Sequence, residues 1–175
     1  MNDPSLKYTF DWSLLGGDIT TSRPNLGGDT RVEVYRLLQF TFRDVLEQRY
    51  GTAEVDEIFL EAGVLAGKAF FKQYCAGASD LASLAKIIQE QFRDMGIGIV
   101  RFEIADTEKM AFQLTVDEDL DCSGLPDSAE HICIYDEGFI KGILDSFTGE
   151  AFSVHEVDCW CSGARTCRFR AALAE

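Results

Sequence analysis

The chain has 175 residues, 46% of them hydrophobic, which is enough apolar surface for one domain with its own core. Its 30 acidic residues outnumber 16 basic ones and give a net charge of −14. That field repels phosphate backbones and anionic bilayers, so neither nucleic acid nor a membrane surface is an expected partner.

The opening residues, "MNDPSLKYTFDW", carry an acid and a proline where a secretory leader needs a basic start and an apolar run. No later window approaches 18 apolar residues, so no membrane insertion is expected and the expected location is cytoplasmic. In a reducing compartment the six cysteines are better explained as thiols or metal ligands than as a disulfide framework. Residues 1–29 read as an N-terminal arm and loop, with the near-repeat "LGGDIT" and "LGGDTR" as turn formers. Residues 30–175 read as a single domain.

Thr30 followed three residues later by Glu33 predicts a capping box, and Val34, Leu38, Phe42, Val45 and Leu46 then keep helical spacing up to Gly51. A second helix is expected after Thr52, with Val55, Ile58, Phe59, Ala62, Leu65, Ala66, Ala69 and Phe70 on one face. Gly63 and Gly67, four apart, would let another element approach it closely. A third helix runs from about Asp80 to Met95, turns Leu81, Leu84, Ala85, Ile88 and Phe92 inward, and stops at Gly96.

The period then changes to two. Val100, Phe102 and Ile104 alternate with polar residues, and after the turn "DTE" so do Met110, Phe112, Leu114 and Val116, which predicts a hairpin. The acidic loop "DEDLDCSGLPD" leads to "HICIYDEGFIKGILDSFTG", expected to be a helix interrupted at Gly138 and Gly142. Two last strands, about 151–160 and 166–173, flank the turn "SGAR". Helices first and strands later favour an α+β class, with N-terminal helices packed on an antiparallel sheet.

The stretch "HEVDCWCSGARTCRF" concentrates groups that ligate zinc. Cys159 and Cys167 flank a tight turn that brings two sulfurs together across paired strands, and Cys133 is a third donor. For the fourth, an unbroken strand puts His155 on the face of Cys159, whereas a bulge would turn Glu156 there instead; Cys161 is a further alternative. Cys75 reads as core, Cys122 as a plain thiol, and a thiol-disulfide switch competes with metal.

The spacing from Cys133 to Glu156, "E-V-D-C" ending in Cys159, and Cys167 followed by an aromatic resembles the 4-vinyl reductase domain family, as does "C-I-Y-D-E-G-F-I-K-G". The resemblance covers about residues 20–172. It implies a structural zinc held by Cys133, Glu156, Cys159 and Cys167, since the phenol- and xylene-sensing regulators of this kind use three Cys and one Glu. It also implies a homodimeric fold similar to the ligand-binding fold of NO-signalling and Golgi-transport proteins, with an apolar cavity. Where the sensors place a Trp and a His against the phenol hydroxyl, ungapped counting puts Phe112 and Leu84, so a more apolar ligand is expected. By periodicity the expected lining is Phe70, Tyr74, Leu84, Ile88, Phe102, Phe112 and Trp160.

The leading expectation is therefore a stand-alone small-molecule or hydrocarbon binder acting as sensor or carrier, with a separate effector protein where it signals. Two alternatives remain beside it. One is a tetrapyrrole-pathway accessory protein or vinyl reductase, although "GIGIVR" lacks the third glycine of a dinucleotide fingerprint. The other is a protein-interaction module like the transport-particle subunits.

Overall fold

The computed structural model describes residues 8–128 and 131–174. The N-terminal arm is more ordered than a loop. Asp11 caps a 3-10 turn at Trp12–Leu15, and the Asp18 carboxylate caps the short helix α1, Ile19–Ser22, by accepting the Thr21 N–H at 3.1 Å.

Helix α2, Val32–Tyr50, lies where the spacing put it, but the expected capping box does not form. Glu33 pairs with the guanidinium of Arg31, so the carboxylate that should reach back to the helix start is held by a nearer charge. Gly51, with φ at 83°, makes the turn into α3, Thr52–Phe70, which continues through a wider π-type turn at Phe71–Cys75. Helix α4, Leu81–Asp94, starts at an Asp80–Ser83 capping box and buries Leu84, Ile88 and Phe92 as expected.

Strands β1, Ile99–Asp106, and β2, Ala111–Asp117, form the expected hairpin. A register shift between Phe102 and Ile104 breaks the alternation and leaves Ile104 exposed, contrary to its expected inward position. Helix α5, Ile134–Thr148, is followed by β3, Phe152–Asp158, and β4, Cys167–Leu173. The four strands form one antiparallel sheet in the order β1-β2-β4-β3, so the class is α+β with five α-helices among the described residues.

Two glycine pairs explain how α3 meets α5. Gly63 and Gly67 on α3 face Gly138 and Gly142 on α5 so closely that a Cβ on Gly67 would collide with the Phe139 carbonyl, and one on Gly138 with the Leu60 carbonyl. These glycines therefore do not interrupt α5; they are what lets two backbones touch. The buried stripe of α3 is accordingly Val55, Gly63, Gly67 and Phe70, while Ala62 and Leu65 of the expected apolar face remain exposed. Ile88, Phe92, Val100, Leu114, Ile140 and Leu144 close the main core around a void of only about 20 Å³.

Candidate functional site

Four sulfurs converge where the loop after β2, the start of α5 and the β3–β4 turn meet. Cys122, Cys133, Cys159 and Cys167 are all buried, and their Sγ atoms lie within 4.8 Å of one another. Cys133 Sγ is 3.9 Å from Cys159 Sγ and 3.8 Å from Cys167 Sγ, while Cys122 and Cys167 approach to 3.1 Å. A tetrahedron with metal–sulfur bonds of about 2.3 Å has edges of roughly 3.8 Å, so the donor set and its dimensions fit zinc.

Cys122 is the residue that sequence reasoning misses, because an isolated Cys in an acidic loop reads as a plain thiol. Its loop is folded inward by local bonds: the Asp119 Oδ1 accepts the N–H groups of Asp121 and Cys122, and the Leu120 N–H donates to the Ile97 carbonyl. Arg36 on α2 then clamps it by donating to the carbonyls of Leu120 and Ser123, both at 2.8 Å. An Asp two and three residues before a turn N–H was the available signal; the clamp from 84 positions upstream left none.

The other expected donors separate clearly. The sheet register slips between Glu156 and Asp158, so one residue of β3 is extra; that bulge turns Glu156 inward beside Cys159 and sends His155 to the surface, where its ring pairs with Ser153. Glu156 Oε2 accepts the Cys133 N–H at 3.4 Å, and its buried Oε1 has no partner among the described residues. Cys161 is buried in the turn but stands outside the four-sulfur group. Arg165, a candidate to offset the charge, instead pairs with Asp127 and lies over the Trp160 ring.

The electrostatics show one sulfur collecting charge. Hydrogen bonds from the Cys122, Cys133 and Cys167 thiols hold Cys159 far below the usual thiol range, while Cys133 and Cys167 are pushed up, first by Cys122. Burial raises Glu156 to about 8, helped by the charge on Cys159. A divalent cation among these sulfurs would favour the thiolate at every one of them.

Beside the cluster lies a cavity of about 480 Å³ between the N-terminal arm, α2, α3 and α5. Phe10, Trp12, Phe70, Phe92, Tyr135 and Phe139 make most of its wall, with Asp121 and Asp136 at one end. Of the seven residues expected to line it, Phe70 alone does so. Leu84, Ile88 and Phe112 are core, and Phe102 closes the small void beneath the sheet. Tyr74 packs edge-on against Trp12, and Trp160 sits under Arg165. Periodicity finds faces turned inward but cannot tell a filled interior from one held open by an arm that folds back over it.

Residues 112–173 match the model of the 4-vinyl reductase domain family, a segment that contains all four sulfurs and Glu156. The uncharacterized protein MJ1642 of Methanocaldococcus jannaschii is 30% identical over 56 residues, which are 32% of this chain and 35% of that protein. Among solved structures, a vinyl-4-reductase family protein from Methanocaldococcus jannaschii superposes at a TM-score of 0.61 and 16% identity, over 98% of this chain and 99% of its own. The phenol-responsive sensory domain of the transcription activator PoxR, solved with phenol, gives 0.61 at 15% identity over 84% and 79%. The trafficking protein particle complex subunit 3 of Naegleria fowleri, covalently bound to palmitic acid, gives 0.64 at 12% identity over 82% and 95%. An H-NOX protein of S. oneidensis shares the fold at 0.57 and 13% identity, over 94% and 88%.

Proposed function

We propose that this chain is a small-molecule-binding domain of sensor or carrier type, in which a structural zinc fixes the floor of an apolar cavity. The observation that carries this reading is the roughly 480 Å³ cavity walled by aromatic side chains and adjoining a four-thiol cluster of zinc dimensions. In this reading Cys122, Cys133, Cys159 and Cys167 hold the metal. Glu156, the expected fourth ligand, instead accepts from the Cys133 N–H and tunes the site from outside. Four protein ligands leave no open position for water, so the metal holds structure and performs no chemistry.

The reading includes a homodimer formed through α2. That helix has no buried residue, and Val34, Leu38, Phe42 and Val45 project from it at helical spacing with about half or more of each exposed. A ligand that reshapes the cavity acts on α2 through Tyr35 and Arg36, and so reaches the dimer surface and any separate effector protein. No described helix is long and apolar enough to cross a membrane.

Native mass spectrometry of untagged protein, beside its denatured mass, tests this. The expected result is a dimer with one zinc per chain and an organic mass lost on denaturation. Metal-free protein with paired thiols and no capacity for added apolar ligand would overturn it.

A further inference from the structure

The polar end of the cavity consists of acceptors. Asp121 is buried, with Oδ1 accepting from the Tyr35 hydroxyl at 2.7 Å and Oδ2 from the Gln39 amide at 2.9 Å. Asp136, on the first turn of α5, has its Oδ2 shut away from solvent with no hydrogen-bond partner among the described residues. The Gln39 Oε1 is a second buried acceptor left without a donor. No Lys, Arg or His is among the residues lining this space, and Arg36 spends its bonds on backbone carbonyls behind the loop.

An orphaned carboxylate oxygen facing an apolar chamber costs free energy until a donor reaches it. We propose that the occupant is an apolar molecule with a protonated amine at one end, its N–H groups donating to Asp136 and its charge offset by Asp136 and Asp121. This deepens the binding reading above and rests on it. A carboxylate or phosphate head would meet two acids and no base. A hydroxyl head supplies one donor but no charge. An ammonium supplies several donors and the missing positive charge, in a space whose Trp12, Tyr135 and Phe139 rings also favour a cation.

The test compares three probes of equal chain length, decylamine, decanol and decanoate, by calorimetry on the intact protein with its metal retained. Decylamine is expected to bind about tenfold or more tightly than decanol, as when a charge-assisted bond replaces a neutral one, and decanoate weakest. Asp136→Asn should bring the amine down to the alcohol while leaving the alcohol little changed. Equal binding of amine and alcohol, tightest binding of decanoate, or an amine preference intact in Asp136→Asn would each overturn the head-group assignment and leave the cavity reading standing. Failure of all three to bind would remove both. Where the variant does not fold, the ranking of probes on the wild-type chain decides.

Discussion

Cys122 and Glu156 divide the candidate metal site at the level of single residues. If Cys122 is a ligand and Glu156 an outer partner, Cys122→Ser should weaken zinc binding by more than about 100-fold. Glu156→Gln should then stay within the roughly 10–100-fold typical of a group that only orients a ligand. Cys161→Ser, outside the cluster, should leave zinc content unchanged; competition with a chromogenic chelator measures all three. The buried acids also set the pH response of the metal-free chain. Burial, then the charge of Asp121, raises Asp119 to about 7, and burial raises Glu156 to about 8. Each folded-state pKa lies above its unfolded value. Their contribution is therefore fully present below pH about 4 and is lost as pH rises through about 7 to 8. Chelated protein should melt at progressively lower temperature across that window. Zinc-loaded protein should move the opposite way over the same window, because its thiolates must be deprotonated to bind; parallel trends in the two forms would contradict the assignment of the cluster to metal.

At the scale of elements, the α3–α5 contact is the joint most sensitive to small changes. Gly67→Ala places a methyl against the Phe139 carbonyl, where no flexible side chain can yield, so a loss of about 2 kcal/mol or more is expected in urea unfolding. Gly77→Ala, with open space around its Cβ position, should stay within about 0.5 kcal/mol. The same contact shows what a sequence discloses and what it withholds. The helices and the hairpin were legible because burial imposes periods of 3.6 and 2, and Gly63 and Gly67 announced a close approach. The partner of that approach was not legible, since Gly138 and Gly142 signal a break as readily as a seam until a second glycine stripe is set against them. Glu156 against His155 could not be decided for a related reason: one bulged residue in β3 reverses which side chain faces inward, and nothing in the local composition requires the bulge.

For the whole molecule, the consequential feature is that the metal cluster and the cavity share their supports. Cys133 precedes α5 and faces the other sulfurs, while Asp136 one turn later faces the cavity. On the loop after β2, Asp121 belongs to the cavity and the adjacent Cys122 to the cluster, and Asp119, Cys133 and Asp136 present donor atoms within 4.8 Å of one another. Residues of α2 grip that loop on the cavity side through Tyr35 and Gln39, and on the cluster side through Arg36. A metal that fixes the positions of Cys122 and Cys133 thereby fixes Asp121 and Asp136, the groups a ligand head must reach. Preorganising an acceptor raises affinity for its donor, and reciprocity then requires the ligand to raise affinity for the metal by the same factor. Decylamine should bind the zinc-loaded chain about fivefold or more tightly than the chelated chain, and zinc should in turn bind more tightly by that factor when decylamine saturates the cavity. Two calorimetric titrations closing one thermodynamic cycle measure both. Equal affinities on all four edges would mean that the cluster only staples the β3–β4 turn and that the cavity stands without it, whereas matching gains would make the metal part of the binding apparatus.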